Sequence, residues 1–292
     1  MRATLRYLLE HRFDYAGLFP PASLELSQAL QNYRHYRSHP RAWMLGQFVC
    51  PASKLEVLLA ADPAIPVAVV GGGAEPAQFL AHVEADTRSI VAIHSRLPDA
   101  IRTYEVRLPS LSPPGDLGTI LARIPETIQV FFEGPVGQVP SREALHVLAQ
   151  LRPRSGYKLR CGGAEARAFP GARHVAEVLR VCEGEKVPVK LTAGLHHPLR
   201  WFDAGLQTYH HGFVNVLLAD ALQRAGKLTL EEMEQLLEDG EPQHFRFDDE
   251  WCGWLDHRLA LAELRRAGLG IVAIGSCSFD EPREYLSALG WW

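Results

Sequence analysis

Two lysines stand in stretches that otherwise have the apolar character of buried strands. Residues 157–161 read Tyr-Lys-Leu-Arg-Cys, and residues 187–191 read Val-Pro-Val-Lys-Leu. Because neighbouring side chains of a strand point to opposite faces, Lys158 shares a face with Arg160, and Lys190 shares one with Thr192. A strand covered by helices should be apolar on the covered side. The charged faces are therefore expected inside a closed barrel, near the carboxyl ends of its strands.

Two earlier segments carry acids in the same alternating way. Residues 103–108 place Glu105 and Arg107 on one face, and residues 128–133 end with Glu133. A charged group inside a protein is costly unless it has a partner, so repeated charges on otherwise apolar strands indicate a functional interior. On the four consecutive strands cations outnumber acids, which favours an anionic substrate such as a phosphate or carboxylate, with Arg107 and Arg160 among the groups that bind it.

A buried lysine near other cations can act as a nucleophile. Burial and neighbouring positive charge both lower a lysine pKa, and a neutral amine can attack a carbonyl carbon to form an imine. Lys158, with Arg160 on its own face and Lys190 on the next strand, is the predicted imine former. Glu105 and Glu133 are expected to move protons. The sequence thus predicts a lyase or aldolase acting on a small anionic carbonyl compound.

Two other functions fit the sequence. Two histidine pairs flank a short segment and, together with Glu105 or Glu133, can supply ligands for a divalent metal in a barrel lyase or hydrolase. The other alternative is a barrel that binds a metabolite without catalysis. The leading interpretation needs no cofactor and no metal. The four histidines of the metal alternative are His196, His197, His210 and His211.

Two cysteines and a glycine-serine segment lie at strand ends. Cys50 and Cys277 are interpreted as small packed residues in preference to nucleophiles. Gly275 and Ser276 precede Cys277 and Ser278, and their backbone N–H groups can bind an anion at the start of the last helix.

The elements that must position these residues alternate between strands and helices. Such alternation predicts a (β/α)8 barrel formed by residues 1–292 as a single domain, with an extended helical insertion at 199–268 between strands seven and eight. Within the insertion we expect two or three helices and an aromatic, acidic loop over residues 245–256. Residues 76–97 are expected to be helical. The predicted strands are 13–19, 43–50, 66–70, 103–108, 128–133, 157–161, 187–191 and 270–276.

The strand-six and strand-seven segments resemble the class I deoxyribose-phosphate aldolase family. The matching segments are Lys158-Leu-Arg-Cys-Gly162, Val189-Lys190-Leu-Thr-Ala-Gly194 and Gly275-Ser276-Cys277-Ser278. The resemblance implies a barrel in which Lys158 forms the imine, Lys190 tunes its pKa and Glu105 relays protons, with Cys50 near the family's strand-two cysteine. It also implies phosphate binding by Gly194, Gly275 and Ser276. His196 and His197 replace the family's Ile-Arg and are expected to bind substrate.

Composition excludes several other classes. A net charge of −4 and the lack of a basic run argue against nucleic acid as a partner. No apolar run approaches the roughly 18 residues of a membrane span. Five scattered cysteines without CxxC spacing indicate a reduced, cytoplasmic protein. The expected partner is a small anionic molecule, and the sequence is also compatible with a homo-oligomer.

Overall fold

The computed structural model describes residues 2–72, 75–151 and 155–292. Thirteen strands occur in these ranges: β1 Phe13–Tyr15, β2 Leu45–Pro51, β3 Val67–Val70, β4 Ile101–Arg107, β5 Gln129–Glu133, β6 Gly156–Arg160, β7 Val189–Thr192, β8 Trp201–Asp203, β9 Thr208–His210, β10 Phe245–Phe247, β11 Trp251–Trp254, β12 His257–Ala260 and β13 Ile271–Ser276.

Eleven α-helices lie in the same ranges: α1 Ala3–Leu9, α2 Leu26–Arg37, α3 Leu55–Ala61, α4 Phe79–His94, α5 Leu117–Leu121, α6 Arg142–Leu151, α7 Ala172–Gly184, α8 Phe213–Arg224, α9 Leu230–Glu238, α10 Leu261–Ala267 and α11 Asp280–Ala288. None of these helices is both long and apolar enough to cross a membrane.

Eight parallel strands close into a barrel in the order β1-β13-β7-β6-β5-β4-β3-β2. The predicted (β/α)8 fold is therefore confirmed, and each barrel strand overlaps the segment predicted for it. The largest boundary difference is at β1, which ends at Tyr15 rather than residue 19. There the chain leaves the sheet in a turn, in which the Phe19 N–H donates a hydrogen bond to the Ala16 carbonyl at 2.9 Å.

The helices follow from apolar positions at helical spacing. In α7, Val175, Val178, Leu179 and Cys182 are buried, as their spacing predicts. Residues 76–97 contain α4, so the helical interpretation of that segment is correct. Helix α9 begins with a capping box, in which the Thr229 side chain and the Glu232 side chain bond each other's backbone N–H groups.

The region between β7 and β13 contains the three expected helices, α8, α9 and α10, but it also contains five short strands. The segment predicted as an aromatic, acidic loop forms most of an antiparallel sheet of β10, β11 and β12, and β8 pairs with β9 in a hairpin. These strands are three or four residues long, which is too short for the period-two pattern to identify them. The region is thus a mixed insertion rather than an entirely helical one.

Candidate active site

Lys158 and Lys190 lie side by side on adjacent barrel strands. In the parallel register of β6 and β7, Lys158 lies opposite Lys190, and across β5 and β6 Glu133 lies opposite Lys158. Each of the three side chains is less than a tenth exposed. Glu105, Glu133, Lys158 and Lys190 meet inside the barrel as predicted. The expectation that they all face the carboxyl ends does not hold for Lys190, which lines a cavity at the amino ends, and their roles in a site stay predictions.

Five ionisable side chains form what we call the lysine–carboxylate cluster: Asp14, Glu105, Glu133, Lys158 and Lys190. The Lys158 Nζ lies 2.7 Å from Glu105 Oε2 and 2.7 Å from Glu133 Oε2. The Lys190 Nζ lies 2.6 Å from Asp14 Oδ2 and 2.5 Å from Glu105 Oε1. Glu105 thus bridges the two lysines, and each ammonium group has two carboxylate partners.

Asp14 was not among the site residues predicted from the sequence. Its strand has three residues, and Asp14 stands between Phe13 and Tyr15, whose rings point away from the barrel axis into the core. The signal that could have found it is an acid flanked by two aromatic residues within a predicted strand, because alternation places that acid inside. Its other oxygen, Oδ1, accepts the Gln47 backbone N–H at 2.6 Å.

The charges of the cluster decide its protonation. Burial lowers the pKa of Lys158, but the attraction of Glu105 and Glu133 outweighs burial and leaves that pKa above the usual lysine value. The same balance, with Asp14 and Glu105 as partners, raises the pKa of Lys190. We expected nearby cations to lower the pKa of Lys158, and that expectation is wrong because its nearest charged neighbours are carboxylates.

The pKa values of Glu105 and Asp14 shift in opposite directions. Burial raises the pKa of Glu105, but Lys158 and Lys190 overcome it and lower the pKa to about 2. For Asp14, burial prevails over Lys190, so its pKa is raised. Three carboxylates and two ammonium groups would carry a charge of −1 if all were ionised, and a proton on Asp14 would neutralise the cluster.

The two arginines predicted to bind substrate lie at the ends of their strands. Arg107 ends β4 with a side chain 54% exposed, and its Nε lies 3.7 Å from Glu133 Oε1. Arg160 ends β6, and its Nε donates to the Gly162 carbonyl oxygen at 2.9 Å. Arg160 thus contacts the backbone just after its own strand, and its predicted role in binding substrate stays a prediction.

A cavity of about 240 Å³ opens beside the carboxyl ends of β5 and β6. Its wall includes Lys158, Arg160, Arg167 and His174, together with the segment Gly134–Gln138. A second cavity of about 250 Å³ lies at the amino ends of the strands, where Arg102 and Gln129 line it, and it reaches Asp14 and Lys190. The two lysines therefore line different cavities, although they share Glu105.

The glycine and serine predicted to bind phosphate have structural partners. Gly194 has a φ of +75°, and a Cβ at Gly162 would lie 3.0 Å from the Gly194 Cα, so the ends of β6 and β7 approach closely because both residues are glycines. Gly275 lies against Thr192, and the buried Ser276 Oγ donates to the Ser278 carbonyl at 2.6 Å. Anion binding by Gly194, Gly275 and Ser276 stays a prediction.

The four histidines separate into different environments. The His196 Nδ1 lies 2.6 Å from Glu281 Oε2, and the His197 ring stacks between Trp201 and Tyr285. His210 faces Asp203 at 3.4 Å, and His211 bonds the Pro170 carbonyl oxygen at 2.7 Å. Within residues 2–72, 75–151 and 155–292, no group of three or more His, Cys, Asp or Glu side chains is placed to hold a metal. The metal alternative gains no support from these positions.

Comparison with known proteins identifies no family for the chain. No protein-family model and no curated sequence matches the chain. A solved structure of phospho-2-dehydro-3-deoxyheptonate aldolase (DAHP synthase) from Thermotoga maritima is similar, with a TM-score of 0.39 and 8% sequence identity over 64% of this chain and 52% of that chain. This chain spans about half of that structure. The closed barrel of this chain agrees with the fold that the resemblance to deoxyribose-phosphate aldolases implies, and no family model or curated sequence links the chain to that family.

Proposed function

We propose that the chain is an aldolase-like barrel enzyme that forms an imine between Lys158 and a small anionic carbonyl compound. One observation carries this proposal: the Lys158 amine lies 2.7 Å from each of two carboxylates, and Lys158 lines a cavity at the carboxyl ends of the barrel strands. Enzymes of this fold keep their active sites at that end.

Because its raised pKa keeps Lys158 protonated, imine formation needs a group that accepts its proton, and the two carboxylates can do so. For imine formation the Lys158 ammonium first gives a proton to Glu105 or Glu133, which moves charge within the lysine–carboxylate cluster and leaves its total unchanged. The free amine then attacks the carbonyl carbon, so that a C–N bond forms and the C=O π bond breaks. The oxygen leaves as water after taking two protons, one from the nitrogen and one from the carboxylic acid, which returns to its anion. The resulting iminium withdraws electrons from the neighbouring C–C bond.

The charge of the cavity wall supports an anionic substrate. Arg160 and Arg167 line the cavity with Lys158, and Arg107 ends the neighbouring strand. Guanidinium groups bind phosphate and carboxylate through paired hydrogen bonds. Pro135 and Val136 provide apolar surface in the same wall. A short carbon chain that ends in a phosphate or carboxylate would fit both properties.

Borohydride trapping tests the proposal. The protein is incubated with short aldehydes and keto acids that carry a phosphate or carboxylate, reduced with borohydride, digested and analysed by mass spectrometry. We expect the adduct on Lys158 and none in Lys158→Met. Lys186→Met, which changes an exposed lysine, serves as the matched control and should label like the wild type. Label that persists in Lys158→Met, or no label with any of the compounds, would overturn the imine mechanism.

A further inference from the structure

A second group of reactive side chains lies after β13, and we call it the thiol–imidazole cluster: His196, Cys277 and Glu281. The Cys277 Sγ lies 3.8 Å from the His196 Nε2, and the His196 Nδ1 lies 2.6 Å from the Glu281 Oε2. A thiol, an imidazole and a carboxylate are thus linked in series through the two nitrogens of one ring. A nucleophile, a base and a group that orients the base have this arrangement in covalent catalysis.

Cys277 differs from the other cysteines in its exposure. Cys50, Cys161, Cys182 and Cys252 are buried, whereas Cys277 is partly exposed. It follows β13 and precedes α11, at the end of the barrel where the strands finish. The favoured interpretation of Cys277 as a small packed residue therefore does not describe its environment.

The two partners of His196 stabilise the protonated form of its imidazole. Burial lowers the pKa of His196, but its bonds to Cys277 and Glu281 outweigh burial and raise that pKa to about 9. His196 is therefore cationic at neutral pH, with one N–H directed at the carboxylate and the other at the sulfur. When the Cys277 sulfur acts as a nucleophile, His196 Nε2 is placed to hold the proton that the thiol gives up.

We propose that Cys277, His196 and Glu281 form an acyl-transfer site that is separate from the Lys158 chemistry. The Cys277 sulfur attacks the carbonyl carbon of an ester or thioester, so that an S–C bond forms and the C=O π electrons move to the oxygen. When the double bond re-forms, the bond to the leaving group breaks, and the leaving group takes the proton from His196 Nε2. Water then attacks the acyl-sulfur bond, with His196 as base, and releases a carboxylic acid.

The surface next to the thiol–imidazole cluster indicates the kind of acyl group. The His197 ring lies 4.3 Å from Trp201 and 3.7 Å from Tyr285, between centroids. Burial and the charge of His196 lower the pKa of His197 to about 4, so His197 is uncharged at neutral pH. Tyr285 lies one helical turn after Glu281 in α11. The neighbouring surface is thus aromatic and uncharged, which favours an apolar acyl group.

Alkylation with iodoacetamide tests whether the three residues act together. In the wild type we expect Cys277 to be the first cysteine labelled, because the other four are buried and His196 lies beside its sulfur. In His196→Gln and Glu281→Gln the rate at pH 6.5 should fall about tenfold. Exposure alone cannot produce that change, because the same sulfur is measured. A rate that both folded variants leave unchanged would overturn the proposal.

Turnover of p-nitrophenyl acetate tests the acyl chemistry. We expect a burst of nitrophenol and an acetyl group on Cys277 by mass spectrometry, both lost in Cys277→Ser, with circular dichroism confirming that this variant is folded. Cys252→Ser, at a buried cysteine, serves as the control and should keep the burst. Because the readout is an acetyl group on Cys277 and not an adduct on Lys158, a failure here is distinguishable from a failure of the imine proposal. Absence of acetyl-Cys277 in the wild type, or a burst that survives Cys277→Ser, would overturn the assignment.

Discussion

The lysine–carboxylate cluster and the thiol–imidazole cluster both consist of ionisable side chains in contact, but they lie in different surroundings. In the first cluster every member is less than a tenth exposed, and each cation has two carboxylate partners. In the second, His196 is 17% exposed and Glu281 is 46% exposed, and one imidazole joins a single acid to a single thiol. Burial with several partners fixes charges in place, whereas partial exposure leaves an imidazole whose charge changes as the pH rises through about 9.

The two clusters are also expected to contribute differently to the stability of the fold. Replacing both partners of a buried ion pair with apolar residues changes the free energy of unfolding little. Removing only one partner is costly, because it leaves an uncompensated charge inside the protein. A partly exposed pair is screened by water and contributes less. We therefore expect substitutions in the lysine–carboxylate cluster to affect the free energy of unfolding more than those in the thiol–imidazole cluster.

The largest effect is expected for Lys190→Met. The substitution leaves Asp14 and Glu105 without a common cation inside the barrel, and should lower the free energy of unfolding by about 3–5 kcal/mol. Urea denaturation at neutral pH measures the change. Lys186→Met replaces an exposed lysine that pairs with Glu183, and should change stability by no more than about 0.5 kcal/mol. Equal effects of the two substitutions would show that the buried ion pairs of Lys190 contribute no more to stability than an exposed ion pair does.

The sequence predicts the part of each cluster that follows from local patterns, and it does not predict contacts between residues far apart along the chain. Period-two alternation identified the eight barrel strands and placed Lys158 beside Lys190, because alternation and strand order are local properties. It did not find Asp14, which pairs with Lys190 across 176 residues, and it therefore missed the third carboxylate. The wrong direction for the pKa of Lys158 has a different cause: alternation placed Glu105 and Glu133 inside the barrel but did not show that both carboxylates contact the Lys158 amine.

The thiol–imidazole cluster shows the same limit more strongly. His196 and Cys277 are 81 residues apart, and they meet because β7 and β13 are neighbours in the closed barrel. The sequence placed His196 after strand seven and Cys277 after strand eight. It did not show that their side chains point towards each other, because both residues lie beyond the strands, where alternation no longer fixes direction.

An intermediate effect, present at neutral pH and lost in acid, is expected for Glu105→Gln. The pKa of Glu105 is lowered to about 2 in the folded protein, below its usual value of 4.5, so its ion pairs stabilise the fold fully above about pH 4.5 and are lost as the pH falls through about 2. A shift of this size corresponds to about 3 kcal/mol. Wild type and variant should therefore differ by that amount at pH 6 and converge near pH 2.

Urea unfolding from pH 6 to pH 2 measures the difference. Glu56→Gln is the matched control, since Glu56 and its partner Arg96 are both about 60% exposed, and it should follow the wild type throughout. A difference for Glu105→Gln that stays constant across this range would mean that the stabilisation does not come from the ionised Glu105 carboxylate.

The smallest effect, and one of opposite pH dependence, is expected for His196→Gln. The pKa of His196 is raised to about 9 in the folded protein, against about 6.5 when unfolded, so its contribution to stability is complete below about pH 6.5 and is lost as the pH rises through about 9. Because Glu281 is half exposed, solvent screening reduces this contribution to about 1 kcal/mol. Urea unfolding at several values between pH 6 and 10 should show wild type and variant converging at the alkaline end, while His35→Gln, at an exposed position, follows the wild type. If His196→Gln instead diverges from the wild type as the pH rises, His196 is neutral in the folded protein. The thiol–imidazole cluster would then be as fixed in charge as the lysine–carboxylate cluster.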